Sequence, residues 1–224
     1  DGFLYLEQHQ FAPEGRIDRL AKFDTTMTLL DTFPLPTYDA PAYELVRNGR
    51  VRMAANIPYS PRLVWTVASD GTIWSGVSGE YRLYQRSLGG DTLRIVEREY
   101  DPIPVTSEER ETALEAEFYE RMREQGAEID PGRIPEHHPA WNGFSVDPEG
   151  YLWVVPEVAD STTTAIDVFE PSGRYLGRLT LDATIRPLYP GPLVRGDYVY
   201  GIARDELGVS YVVRAPLGPE IPRG

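Results

Sequence analysis

Cysteine is absent from the 224 residues. Disulfides, thiolate nucleophiles and cysteine-ligated metals are therefore excluded, while the cellular compartment stays open. Lysine occurs once, as Lys22, beside 21 arginines. Acidic residues outnumber basic ones 35 to 22, a formal net charge of −13. Such a field repels a polyanion unless a basic patch overrides it. The densest basic groups, Arg47/Arg50/Arg52 and Arg94/Arg98, hold only two or three charges each, so no nucleic-acid partner is expected. No apolar run approaches the roughly 18 residues of a spanning helix, and no membrane span is expected. Neither a Gly-x-Ser-x-Gly elbow nor a glycine-rich phosphate loop before a helix occurs. Gly76-Val77-Ser78-Gly79 falls one residue short of the elbow and reads as a loop between strands.

Turn formers and aromatics are abundant: 20 glycines, 20 prolines, 14 tyrosines and four tryptophans. With 41% hydrophobic and 25% charged residues, the chain has the composition of a folded domain. Many turns and many aromatics point to β structure. Asp1-Gly2-Phe3-Leu4-Tyr5 is echoed by Asp70-Gly71-Thr72-Ile73-Trp74 and Glu149-Gly150-Tyr151-Leu152-Trp153, and more weakly by Gly196-Asp197-Tyr198-Val199-Tyr200. Each reads as a turn opening a buried first strand. Second strands are predicted at 17–23, 81–86 and 165–169, and third strands at 28–33, 92–97 and 175–181, joined by turns such as Pro171-Ser172-Gly173. Asn48-Gly49 predicts a type I′ hairpin between strands at 43–46 and 51–54.

The glycine spacings are 69, 79 and 46 residues. The last approximates one four-stranded propeller blade, and the longer two imply insertions. Within 34–61 extra hairpin material is expected. A helical insertion is expected at 100–140. Its helix starts at Thr106 with Glu109 completing a capping box, carries Leu114, Phe118 and Met122 along one face, and stops at Gly126. That face is expected to dock on the blades.

The units "DGTIW…YRLYQRSLGGDTLRIVE" and "PEGYLWVV…AIDVFEPSGRYLGRLTL" resemble blades of NHL-type six-bladed β-propellers. The chain is most similar to a group of bacterial six-bladed propeller proteins that share the "PVTSEERE" insertion and the ending "GDYVYGIARDELGVSYVVRA". The resemblance implies an all-β fold: four-stranded antiparallel blades of a partial six-bladed propeller, residues 1–224, with the helical insertion around 106–125. It also implies export. Only four blade starts are visible, so the remaining blades are expected from residues before Asp1 or from another subunit.

Candidate chemistry is sparse. His137 and His138 lie in Pro135-Glu136-His137-His138-Pro139 without a spacing that aims both at one ion, so they read as loop imidazoles and no structural metal or cofactor is expected. His9 reads as a hydrogen-bonded rim residue or a ligand contact. Glu108, Glu109, Glu111, Glu115, Glu117 and Glu120 read as the solvated face of the inserted helix, and Asp160, Asp167 and Asp182 are scattered. Ser161 to Thr164 reads as a polar turn. Tyr5, Trp74, Trp153 and Tyr200 recur at matching positions, as core or as a stacking surface. Tyr81, Tyr84, Trp141 and Tyr151 are candidates for an exposed aromatic surface. These features favour a non-catalytic, exported binding or scaffold protein for a protein, peptide or saccharide. The alternatives are a metal-assisted propeller hydrolase or lyase acting in the central channel, and a subunit of an extracellular assembly.

Overall fold

The Asp70-Gly71 and Glu149-Gly150 turns lie between the first and second strands of their sheets, where sequence places them ahead of the first. A computed structural model describes residues 2–12, 15–159, 163–182, 186–188 and 190–218; Asp1, Asp160, Ser161 and Thr162 lie outside them. β6 (Leu63–Val67) enters the Asp70-Gly71 turn and β7 (Ile73–Val77) leaves it; β10 (Trp141–Val146) and β11 (Leu152–Pro156) flank Glu149-Gly150 the same way. Gly71 and Gly150 have φ of 81° and 90°, a region that disfavours side chains. The turn is fastened by its aspartate: Asp70 Oδ1 accepts from the Thr72 amide at 2.9 Å, and Asp147 Oδ1 from the Tyr151 amide at 2.9 Å. These side chains do for the chain reversal what a backbone carbonyl does elsewhere.

The chain is mostly β, arranged as propeller blades of antiparallel strands. β1 (Leu4–Ala12), β2 (Gly15–Phe23) and β3 (Leu29–Pro34) form the first sheet. β6 and β7 continue into β8 (Arg82–Arg86) and β9 (Thr92–Glu97) as the second. β10 and β11 continue into β12 (Thr163–Phe169) and β13 (Tyr175–Asp182) as the third. In the fourth, β14 (Arg186–Pro187) and β15 (Leu193–Arg195) share one edge of β16 (Tyr198–Arg204), and β17 (Ser210–Pro216) takes the other. The first sheet has no counterpart of β6 or β10 among the described residues.

Three apolar layers hold neighbouring sheets together. Leu20, Leu35 and Ile73 fill the first junction. Trp74, Leu83, Trp141, Phe144 and Phe169 fill the second, and Trp153, Ile166, Val168 and Val199 the third. Trp74 and Trp153 are thus core residues, 3% and 0% exposed. Each middle sheet buries both faces, as stacked blades require.

The two insertions pack on each other, whereas the helix was expected to dock on the blades. β4 (Ala42–Arg47) and β5 (Arg50–Asn56) form the hairpin read from Asn48-Gly49, with φ of 54° and 70° at the turn. Their Tyr43 and Leu45 meet Leu114, Met122 and Ile134 in a separate core. One helix was expected, and two are present: α1 (Ser107–Ala113) and α2 (Glu117–Glu124). Thr106 and Glu109 make both capping-box contacts. The break at 114–116 changes the phase of the apolar stripe. Leu114 and Met122 stay buried at 3% and 0%, while Phe118 turns out at 42% and Tyr119 turns in, its hydroxyl donating to the Asn56 carbonyl at 2.8 Å. Gly126 ends α2 with φ of 90°. Its amide bonds the Arg123 carbonyl and that of Ala127 bonds Met122, a paired closure that needs the left-handed residue.

Candidate functional site: a cleft between the second and third blades

Asp167 sits in the middle of β12 with no exposure. Across the β12–β13 pair it faces Arg178 in register, and its two oxygens accept from Arg178 Nε at 2.8 Å and Nη2 at 3.0 Å. From the neighbouring sheet, Arg98 Nη1 reaches Oδ2 at 2.6 Å and the Tyr81 hydroxyl donates to it at 2.8 Å. The Tyr175 hydroxyl adds a contact at 3.2 Å, and its ring lies 4.6 Å under the Arg98 guanidinium. A carboxylate out of water is tolerated only with partners of this kind. Two guanidiniums against one carboxylate leave one positive charge in excess.

The same charge cluster acts on the phenols. Burial, then the adjacent Asp167 charge and the hydrogen bond to it, drive the Tyr81 hydroxyl far above the ordinary tyrosine range. Burial and Asp167 raise Tyr175 as well. The hydrogen bonds from Arg178 to Asp167 raise the guanidinium further, so it stays charged.

Arg98 and Arg178 line an open cleft of about 480 Å³ together with Glu99, Tyr100, Asp101 and Glu157. Its walls come from the segment that follows β9, the approach to β10, the end of β11 with the residues after it, the start of β12 and the middle of β13. The insertion core adjoins it through His138. This imidazole is 10% exposed, with Nε2 3.2 Å from Glu109 Oε1 and Nδ1 3.9 Å from Glu157 Oε1. The Tyr59 ring meets it edge-on at 4.6 Å. Glu109 is held below the ordinary glutamate range, first by the Thr106 amide, then by the Thr106 hydroxyl and His138. It therefore both caps α1 and holds His138, whose other ring nitrogen faces Glu157 just past β11.

The candidates read from sequence scatter around this arrangement. His137 is exposed, pairing by backbone with Pro104, while its neighbour His138 turns inward. Trp141 is fully buried and donates its indole N–H to the Glu80 carbonyl at 2.8 Å. Tyr81 is 3% exposed. Neither ring faces solvent as an exposed aromatic surface requires, because both head strands whose side chains enter the second junction. Tyr84 is half-buried under Arg86, 4.7 Å from its guanidinium, and lines a separate groove with Tyr38, Pro61 and Arg82. His9 Nδ1 lies 2.8 Å from Asp18 Oδ1 across β1–β2 and 3.7 Å from Glu7. Glu7, His9 and Asp18 form the one trio of metal-capable side chains within 4.8 Å of one another among the described residues. Arg98, Arg178 and the role of Asp167 escape sequence reading, since the register that joins them spans two sheets.

No family model matches the chain, and curated proteins give no match. Solved structures align with it at low identity. A puromycin hydrolase aligns over 90% of this chain and 23% of its own, with 13% identity and a TM-score of 0.40. A protein of unknown function from Bacteroides caccae aligns over 88% of this chain and 69% of its own, with 13% identity and a TM-score of 0.36. A streptogramin B lyase aligns over 94% and 68%, with 11% identity and a TM-score of 0.31. The chain thus spans under a quarter of the first and about two thirds of the others. The propeller assignment stands on the sheets and junctions above.

Proposed function

We propose that residues 1–224 form part of an exported, non-catalytic six-bladed propeller that binds a peptide or saccharide in the cleft between its second and third blades. One observation carries this reading: the solvent-free carboxylate of Asp167 fixes Arg98 and Arg178 at the wall of an open cleft. Donors held in place before the ligand arrives lose little freedom on binding. The size of the cleft suits a small molecule or the end of a chain. Calorimetric titration with a panel of short peptides and oligosaccharides tests it. One class should bind saturably, lose affinity in Arg178→Gln and be recovered unchanged. Recovery of a cleaved or eliminated product would replace this reading with the propeller hydrolase or lyase.

A second reading, completion of the ring by upstream blades or another subunit, is favoured by the two end sheets. On the first, Leu4, Leu6 and Ile17 share a face and are 42%, 40% and 36% exposed. On the fourth, Leu193 and Val212 share a face with Tyr200 and Ile202 and are 37% and 74% exposed. Apolar sheet faces of this kind mark surfaces that associate. Sedimentation of residues 1–224 should show self-association; a monomer at every concentration would count against it.

A further inference from the structure

We propose that the cleft takes a small zwitterion of di- or tripeptide size, its carboxylate on Arg98 and Arg178 and its ammonium on the acidic side chains Glu99, Asp101 and Glu157. This rests on the ligand-binding reading above and names its ligand class. The oxyanion half follows from unused donors. Arg178 spends Nε and Nη2 on Asp167, and Arg98 spends only Nη1. The remaining N–H groups sit on side chains that are 37% and 29% exposed and line the cleft. Planar guanidiniums in this state match the two oxygens of a carboxylate.

The cationic half follows from what else lines the cleft. Three carboxylates border it, with Glu99 and Asp101 exposed and Glu157 half-exposed, and the chain carries −13 overall. A plain anion would be drawn to the arginines and repelled by everything around them; a plain cation would meet the reverse. A ligand with one charge of each sign satisfies both. Tyr100, Ile103 and Pro156 add apolar wall between the charges. A cleft of about 480 Å³ accommodates a tripeptide, whose termini lie about 10 Å apart when extended.

Calorimetry at pH 7 with trialanine, N-acetyl-trialanine and trialanine amide tests this on the full chain. Trialanine should bind, and blocking either end should weaken binding at least tenfold. Glu99→Gln/Asp101→Asn should weaken trialanine by a similar factor and leave the N-acetyl peptide unchanged or improved. Both positions are solvent-accessible, so this pair decides the matter even where Arg98→Gln unfolds the protein. Equal binding of the N-acetyl peptide overturns the zwitterion in favour of a simple carboxylate site, and equal binding of the amide overturns it in favour of a cation site. If no peptide binds while an oligosaccharide does, this inference fails and the binding reading survives. If nothing in either panel binds, both fail.

Discussion

Tyr81 donates its phenolic hydrogen to Asp167 at 2.8 Å, joining two sheets across 86 residues of sequence. The bond is buried and its acceptor is charged, which places it among the stronger hydrogen bonds. Removing the donor leaves Arg98, Arg178 and Tyr175 on the carboxylate. Tyr81→Phe should therefore destabilise the fold by about 1.5–3 kcal/mol. Removing the carboxylate strands two guanidiniums, so Asp167→Ala should cost more, about 3–5 kcal/mol. Denaturant unfolding of both variants checks the order. Equal stability of Tyr81→Phe and the parent would show that the bond contributes nothing.

Alkaline stability follows from the same phenol. Its folded-state ionisation lies well above the ordinary value of 10.0. The hydroxyl therefore keeps its proton in the native state at pH values where the unfolded chain loses it. A group raised on folding contributes stability that is complete below the unfolded value and is lost as pH rises above it. Stability should fall above about pH 10, and fall less steeply in Tyr81→Phe. Unfolding free energies measured between pH 8 and 11 give both slopes; parallel slopes would refute the assignment to Tyr81.

Much of the blade pattern was legible because turn chemistry is local. Asn48-Gly49, the aspartate turns and the Thr106 box each act within a few residues, and third strands such as Thr92–Glu97 emerge where expected. The strands ahead of Asp70-Gly71 and Glu149-Gly150 were missed because β6 and β10 follow proline-bounded segments that read as insertion. The single helix failed for a different reason. Leu114, Phe118 and Met122 have the right spacing, but the turn at 114–116 lies between them and spacing alone does not reveal it. The cleft was illegible in principle: Asp167 gains meaning only from Arg98 and Tyr81, which sequence separates from it by 69 and 86 residues.

The insertion core gives a contrast within one helix. Met122 is fully buried among Tyr43, Leu45 and Leu114, while Phe118 is 42% exposed. Met122→Ala should cost about 2–5 kcal/mol through lost burial and the cavity left behind. Phe118→Ala should cost under about 1 kcal/mol, since little packing is lost there. Thermal unfolding of the two variants checks the ranking, and a larger loss at Phe118 would place the apolar stripe where the continuous helix puts it.

At Gly143 and Gly191 the backbone of β10 meets that of the segment between β14 and β15. A Cβ built at Gly143 would overlap the Pro190 carbonyl, and one at Gly191 would overlap the backbone of Phe144 and Ser145. Both obstacles are main chain, which cannot swing aside as a side chain can. The Ser145 hydroxyl also donates to the Pro192 carbonyl, fastening the same two segments. Adding a methyl group must push the 190–192 segment off β10 or bend β10 itself, and overpacking of this kind costs about 1–3 kcal/mol. Gly191→Ala should lower the unfolding midpoint and loosen β14 and β15 first, because they flank the displaced segment on one edge of β16. Hydrogen exchange reads this directly: amides of β16 facing β15 should exchange faster in the variant, while those of β7 and β8 keep their protection. Unchanged exchange at β16 would mean the two backbones are not in contact at this point.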